Sequence, residues 1–99
     1  MSENLRDAPI EVRLEYANKT GLYSGSIIKT LHIADDPLEL RLLITELNIK
    51  PFELGEFHHD FELLLNLGLV EGIPGEDEGI VGYQLSTEAK ESLGPIEEE

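Results

Sequence analysis

The stretch Glu56-Phe57-His58-His59-Asp60-Phe61-Glu62-Leu63-Leu64-Leu65-Asn66-Leu67-Gly68-Leu69-Val70-Glu71-Gly72-Ile73 changes its hydrophobic period part-way through. Phe57, Phe61, Leu64 and Leu65 stand at i, i+4, i+7 and i+8, the spacing of one helical face, so a helix is predicted over about 56–67. Gly68 stands where a left-handed helix cap is wanted. From Leu69 the period becomes two. Leu69–Ile73 and Ile80–Leu85, joined by the acidic turn Pro74-Gly75-Glu76-Asp77-Glu78-Gly79, read as a β-hairpin with Val81, Tyr83 and Leu85 on one face.

Outward from this core the signals are mixed. Asp35-Asp36-Pro37 offers an N-cap carboxylate followed by proline at the first helical position, which predicts a helix from 37 to about 48. Leu40, Leu43, Ile44 and Leu47 would form its buried stripe, and Pro51 ends any continuation. Beyond the hairpin, Ser86 or Thr87 can cap a short helix over Glu88–Leu93 with Ala89 and Leu93 turned inward. Toward the N-terminus, Ile10-Glu11-Val12-Arg13-Leu14-Glu15-Tyr16 alternates apolar and polar residues and is read as a strand. Residues 17–25 read as a loop. Residues 26–34 fit a helical face through Ile27, Ile28, Leu31 and Ala34, or a β-branched strand paired with 10–16, and the hairpin is taken as the expectation.

The chain has 99 residues, no cysteine, 21 acidic and 7 basic side chains, and a formal charge of −14. A chain this short buries about 60–65% of its unfolded surface, room for one modest core. Absence of cysteine removes disulfide scaffolds, Cys-ligated metals and thiol catalysis. Neither a membrane-length apolar run nor the basic-then-apolar order of a signal peptide is present, so a cytoplasmic protein with no membrane partner is expected. Residues 1–35 carry five acids and four bases; residues 36–99 carry sixteen acids and three bases, a net −13. The expected organisation is a disordered tail over 1–9, one folded domain over 10–93 and an acidic tail over 94–99.

Helix, short helix, longer helix ending Leu67-Gly68-Leu69-Val70-Glu71, hairpin, and then Tyr83-Gln84-Leu85-Ser86-Thr87-Glu88-Ala89-Lys90 together resemble a winged helix-turn-helix domain of the ArsR/MarR type of transcription regulator. Asp36-Pro37-Leu38-Glu39-Leu40-Arg41-Leu42-Leu43-Ile44 resembles the first-helix pattern of ArsR-type repressors. The resemblance covers about 36–93. It implies an α+β winged helix, here with an extra N-terminal strand or hairpin, and a role in transcription regulation without catalysis. It also implies DNA binding, but the residues oppose that part. Non-specific DNA affinity rests on Lys and Arg neutralising phosphates, whereas the second helix offers Glu56, His58, His59, Asp60, Glu62 and Asn66, and the hairpin tip offers Glu76, Asp77 and Glu78.

Other chemistry is thinly represented. His58 and Glu62 share a helical face at i, i+4, but two ligands do not make a zinc site, and a third would have to come from His32 or a second subunit. No metal or other cofactor is expected. Asp35 and Asp36 are explained by capping, Asn18-Lys19-Thr20 by a turn, and Gly21-Leu22-Tyr23-Ser24-Gly25 lacks the Lys-Ser/Thr ending of a phosphate loop. The expectation is a non-enzymatic regulatory module that uses the nine polar residues named above to bind a protein partner, through an acidic interaction or DNA-mimicking surface; a basic protein is one candidate, and an acidic shell that serves only solubility stays open. The alternative is a DNA-binding transcription regulator adapted to high salt, with Arg41, Lys50 and Lys90 among the few residues left for phosphates. Monomer and homodimer stay equally open.

Overall fold

A computed structural model describes residues 7–34, 36–76 and 79–94. In chain order they form helix α1 (Ile10–Thr20), α2 (Ser24–Ile33), α3 (Leu40–Glu46), a single 3-10 turn (Pro51–Glu53), α4 (Leu54–Asn66), strands β1 (Val70–Pro74) and β2 (Ile80–Leu85), and α5 (Thr87–Leu93). The architecture is α+β, five helices with one antiparallel hairpin. Its radius of gyration, 13.5 Å, is that of a compact domain of this length. Among the described residues no helix is long and apolar enough to cross a membrane. The expected tails over 1–9 and 94–99 fall mostly outside the described residues.

The strand expected over 10–16 is a helix. Ile10 and Leu14 satisfy period two, but they are also four apart, and Arg13, Leu14 and Ala17 are the residues that α1 buries. Val12 and Tyr16, which alternation places with them, are 45% and 39% exposed. Of residues 26–34, all but the extended Ala34 that ends α2 are helical too, because Ser24, Ile27, Ile28 and Leu31 bury one i, i+3, i+4, i+7 stripe. That burial outweighs the weak helix propensity of the paired isoleucines. The segment expected to pair with residues 10–16 is thus a helix, and the N-terminal hairpin does not form. The extra N-terminal element is a pair of helices, and only Gly21–Tyr23 remains as loop between them.

The helix expected from 37 begins at Leu40, and Asp36 does not cap it. Leu38 is extended instead and bridges Tyr83, its N–H donating to the Tyr83 carbonyl at 2.9 Å and its carbonyl accepting from the Tyr83 N–H at 2.8 Å. The bridge brings Pro37 against Gly82, where a Cβ would lie 2.9 Å from the proline Cβ. Asp35, the other proposed capping residue, lies outside the described residues.

α3 ends through Asn48 in the left-handed region (φ 57°), a conformation asparagine tolerates better than most residues. The Glu53 carboxylate then accepts from the Lys50 N–H at 2.8 Å and fixes the 3-10 turn that leads into α4. Phe57, Phe61 and Leu64 face inward as expected, and Gly68 (φ 76°) stops the helix while the Leu69 N–H donates back to the Leu64 carbonyl at 3.0 Å.

The hairpin register pairs Val70 with Leu85, Glu71 with Gln84, Gly72 with Tyr83 and Ile73 with Gly82, then skips Val81 to pair Pro74 with Ile80. This bulge breaks the alternation, so Val81 is 54% exposed rather than in the core with Leu85. Of the expected core, Leu43, Phe57, Phe61, Leu64, Leu69 and Leu85 are buried, and Leu40, Ile44, Leu47, Leu65 and Tyr83 pack half-buried against them. Phe61 stacks against Phe57 and meets Tyr83 edge-on at 4.8 Å, tying α4 to the hairpin.

Ser86 caps α5, its Oγ accepting from the Ala89 N–H at 3.2 Å. Ala89 points inward as expected, but Leu93 is 40% exposed. Arg13 fastens α1 to the end of α4 and to α5. Its guanidinium donates to the Ala8 and Leu67 carbonyls at 3.0 and 2.9 Å and to the Glu88 carboxylate at 2.9 Å.

Candidate interaction surface

α4 exposes one polar face because its opposite face is filled by Phe57, Phe61 and Leu64. At about 100° per residue, His58, Glu62, Asn66 and His59 share a single arc of about 100°, and all four are exposed. Glu56 is exposed about 60° beyond His59 around the helix and lines a shared cleft with it. Five of the six α4 residues proposed from the sequence are therefore brought together on one surface.

Asp60 is the exception. It is only 5% exposed, and its Oδ2 accepts from the Tyr23 N–H at 2.7 Å at the entry to α2. A carboxylate there satisfies a backbone donor at a helix N-terminus and meets the favourable end of the helix dipole. Gly21 makes the approach possible: a Cβ at that position would collide with the Ser24 hydroxyl and come within 2.8 Å of the Asp60 carboxyl carbon. Asp60 thus joins α4 to α2 and is removed from the set of surface contacts. His59 Nδ1 stands 3.6 Å from Asp60 Oδ1, so a protonated His59 would pair with it.

Thr20, Leu22, Gly55, Glu56, His59 and Asp60 line a shallow cleft of about 280 Å³ beside this junction. Tyr23 sits next to it, and its phenol is pushed above the ordinary value of 10.0 by desolvation, then by the neighbouring Glu53 carboxylate and by the charges of Glu56 and Asp60. Two exposed apolar side chains escaped the sequence reading, Leu22 at 75% and Phe52 at 86% exposure. Their positions in short connections give no period from which exposure could be read.

On the hairpin, Glu76 is exposed, whereas Asp77 and Glu78 lie outside the described residues. Glu71 on β1 is exposed as well, within hydrogen-bonding reach of Gln84 at 3.4 Å. No Lys or Arg occurs anywhere from Pro51 to Ala89. Among the described residues, no three His, Asp or Glu side chains come together as metal ligands.

Comparison with known proteins finds no matching family model, no matching curated protein and no matching solved structure. The surface must be interpreted on its own chemistry. It presents carboxylate and carbonyl acceptors, two imidazoles and flanking apolar side chains, a combination suited to cationic donors with apolar stems.

Proposed function

We propose that this chain is a non-enzymatic winged-helix regulatory module, and that its partner is a basic protein surface rather than bare DNA. The order of α3, a connection over residues 47–53 that includes the 3-10 turn, α4 and a hairpin supports the first part, since it sets two helices and then a hairpin in the sequence of a winged helix, although through a longer connection than the three or four residues of a tight helix-turn-helix. Asn48 occupies the left-handed turn position often taken by glycine. Leu38 adds a third strand position beside β2. These features support the resemblance over about 36–93, with α3 as the first helix of the motif and α4 as the second.

The observation that carries the choice of partner is the exposed face of α4. A DNA-reading helix and its flanks need cations for phosphate contacts, but this face displays Glu56, Glu62, His58, His59 and Asn66 with no Lys or Arg. The same carboxylates match the guanidinium and ammonium groups of a basic protein, which a −14 chain also attracts at long range.

Fluorescence polarisation with labelled duplex DNA across a salt series tests the reading. Little binding is expected at ordinary ionic strength, whereas a complex with a basic protein captured from the native host should weaken as salt rises. Neutralising Glu76, Asp77 and Glu78 together should reduce that partner's affinity. Micromolar binding of the duplex in moderate salt, or a partner affinity unchanged in the neutralised variant, would replace this reading with a DNA-binding regulator that uses His58, His59 and Asn66 in the groove.

A further inference from the structure

A second concave surface lies away from the α4 stripe. It is a groove of about 530 Å³ lined by Thr30, Ile33 and Ala34 of the α2 end, Leu38, and Leu42, Thr45 and Glu46 of α3. Ile33 and Leu42 are 52% and 48% exposed, unusual for two aliphatic side chains that share one concavity. The volume falls within the range of about 300–1,000 Å³ typical of small-molecule sites, and apolar walls with a few placed polar groups are the usual composition of such sites. Leu38 is held by two backbone hydrogen bonds to Tyr83, so that wall is fixed before any ligand arrives.

We propose that this groove binds a small amphipathic organic cation, an aryl- or alkylammonium compound. The apolar body packs between Ile33, Leu38 and Leu42. The ammonium group meets the Glu46 carboxylate, the one ionisable side chain of the lining among the described residues, with the Thr45 hydroxyl of the same lining as an acceptor. An anion would meet no cationic side chain of that lining among the described residues and would approach against the field of the whole chain. The inference is independent of the α4 partner surface, since the two share no residue.

The test uses three ligands with one aromatic body and different heads: phenethylammonium, phenethyl alcohol and hydrocinnamate. Each is titrated into the isotope-labelled full chain and followed through the Ile33 and Leu42 methyl resonances. The cation should shift both methyls and bind more tightly than the alcohol, with the carboxylate weakest. Glu46→Gln should reduce cation affinity by about two- to fivefold, the size of contribution an exposed ion pair makes, and leave the alcohol unchanged. Leu42→Ser should weaken all three while retaining the parent's dispersed spectrum, the check that the variant still folds. Equal binding of all three heads overturns the cationic specificity. Unmoved methyls, or shifts confined to α4 or the hairpin, overturn the site itself and leave the groove to a protein side chain.

Discussion

Two buried polar residues hold this fold at points where the backbone alone would not close. Arg13 is 6% exposed and serves the Leu67 carbonyl at the end of α4, so removing it leaves a buried acceptor unpaired. Arg13→Met is expected to cost about 2–3 kcal/mol in urea denaturation, mainly from that carbonyl. The Glu88 side chain is 63% exposed, so Glu88→Gln should change stability by under about 1 kcal/mol. A larger loss from Glu88→Gln than from Arg13→Met would reverse the assignment. Asp60→Ala should cost about 1–2 kcal/mol by stripping the acceptor from the Tyr23 N–H. Tyr23 itself predicts an alkaline limb. Its phenol titrates higher in the folded chain than unfolded, so its contribution is complete below pH 10.0 and is lost as pH rises through the folded value. Tyr23→Phe should therefore flatten the loss of stability above that pH, and an unaltered alkaline limb would assign it to other groups.

At the scale of elements, stability turns on how the hairpin is held from both sides. Phe61 supports it from α4 and is 4% exposed, so Phe61→Ala should cost about 3–5 kcal/mol; an unchanged melting temperature would remove that residue from the core. On the other side, Gly82→Ala drives a methyl into Pro37 and should cost about 1–3 kcal/mol. Loss of amide protection at Leu38 and Tyr83 in that variant would report the broken bridge. The same comparison shows which elements could be read in advance. α4 and the hairpin were legible because thirteen helical residues and a left-handed glycine separate two unambiguous periods. α1 was not, because Ile10 and Leu14 fit both periods and a buried arginine carries no hydrophobic signal. The extended state of Leu38 is not legible locally, because its hydrogen-bond partner is at position 83 and the capping chemistry of Asp36-Pro37 favours a helix start. The polar face of α4 was legible for the reason α4 was; Asp60 was wrongly included because its partner on Tyr23 is 37 residues away.

For the whole molecule, charge acts on stability as well as on recognition. Seven basic side chains face twenty-one acidic ones, and Arg13, one of the seven, is committed to the interior. The other carboxylate pairs of Lys and Arg among the described residues, Lys19 with Glu15 and Arg41 with Glu39, have exposed partners and contribute little. Salt therefore screens more repulsion than attraction, since the Debye length falls from about 10 Å at 0.1 M to about 3 Å at 1 M. The melting temperature should rise with sodium chloride across that range. Neutralising Glu62, Glu71 and Glu76 together to Gln should raise the low-salt melting temperature and shallow the salt dependence, because all three are exposed on a segment without Lys or Arg from 51 to 89. A parent melting temperature that falls with salt would mean that the few ion pairs outweigh the net repulsion. A rise that survives unchanged in the triple variant would place the repulsion elsewhere on the chain, and the α4 and hairpin faces would then lose their claim to be the main source of its electrostatic field.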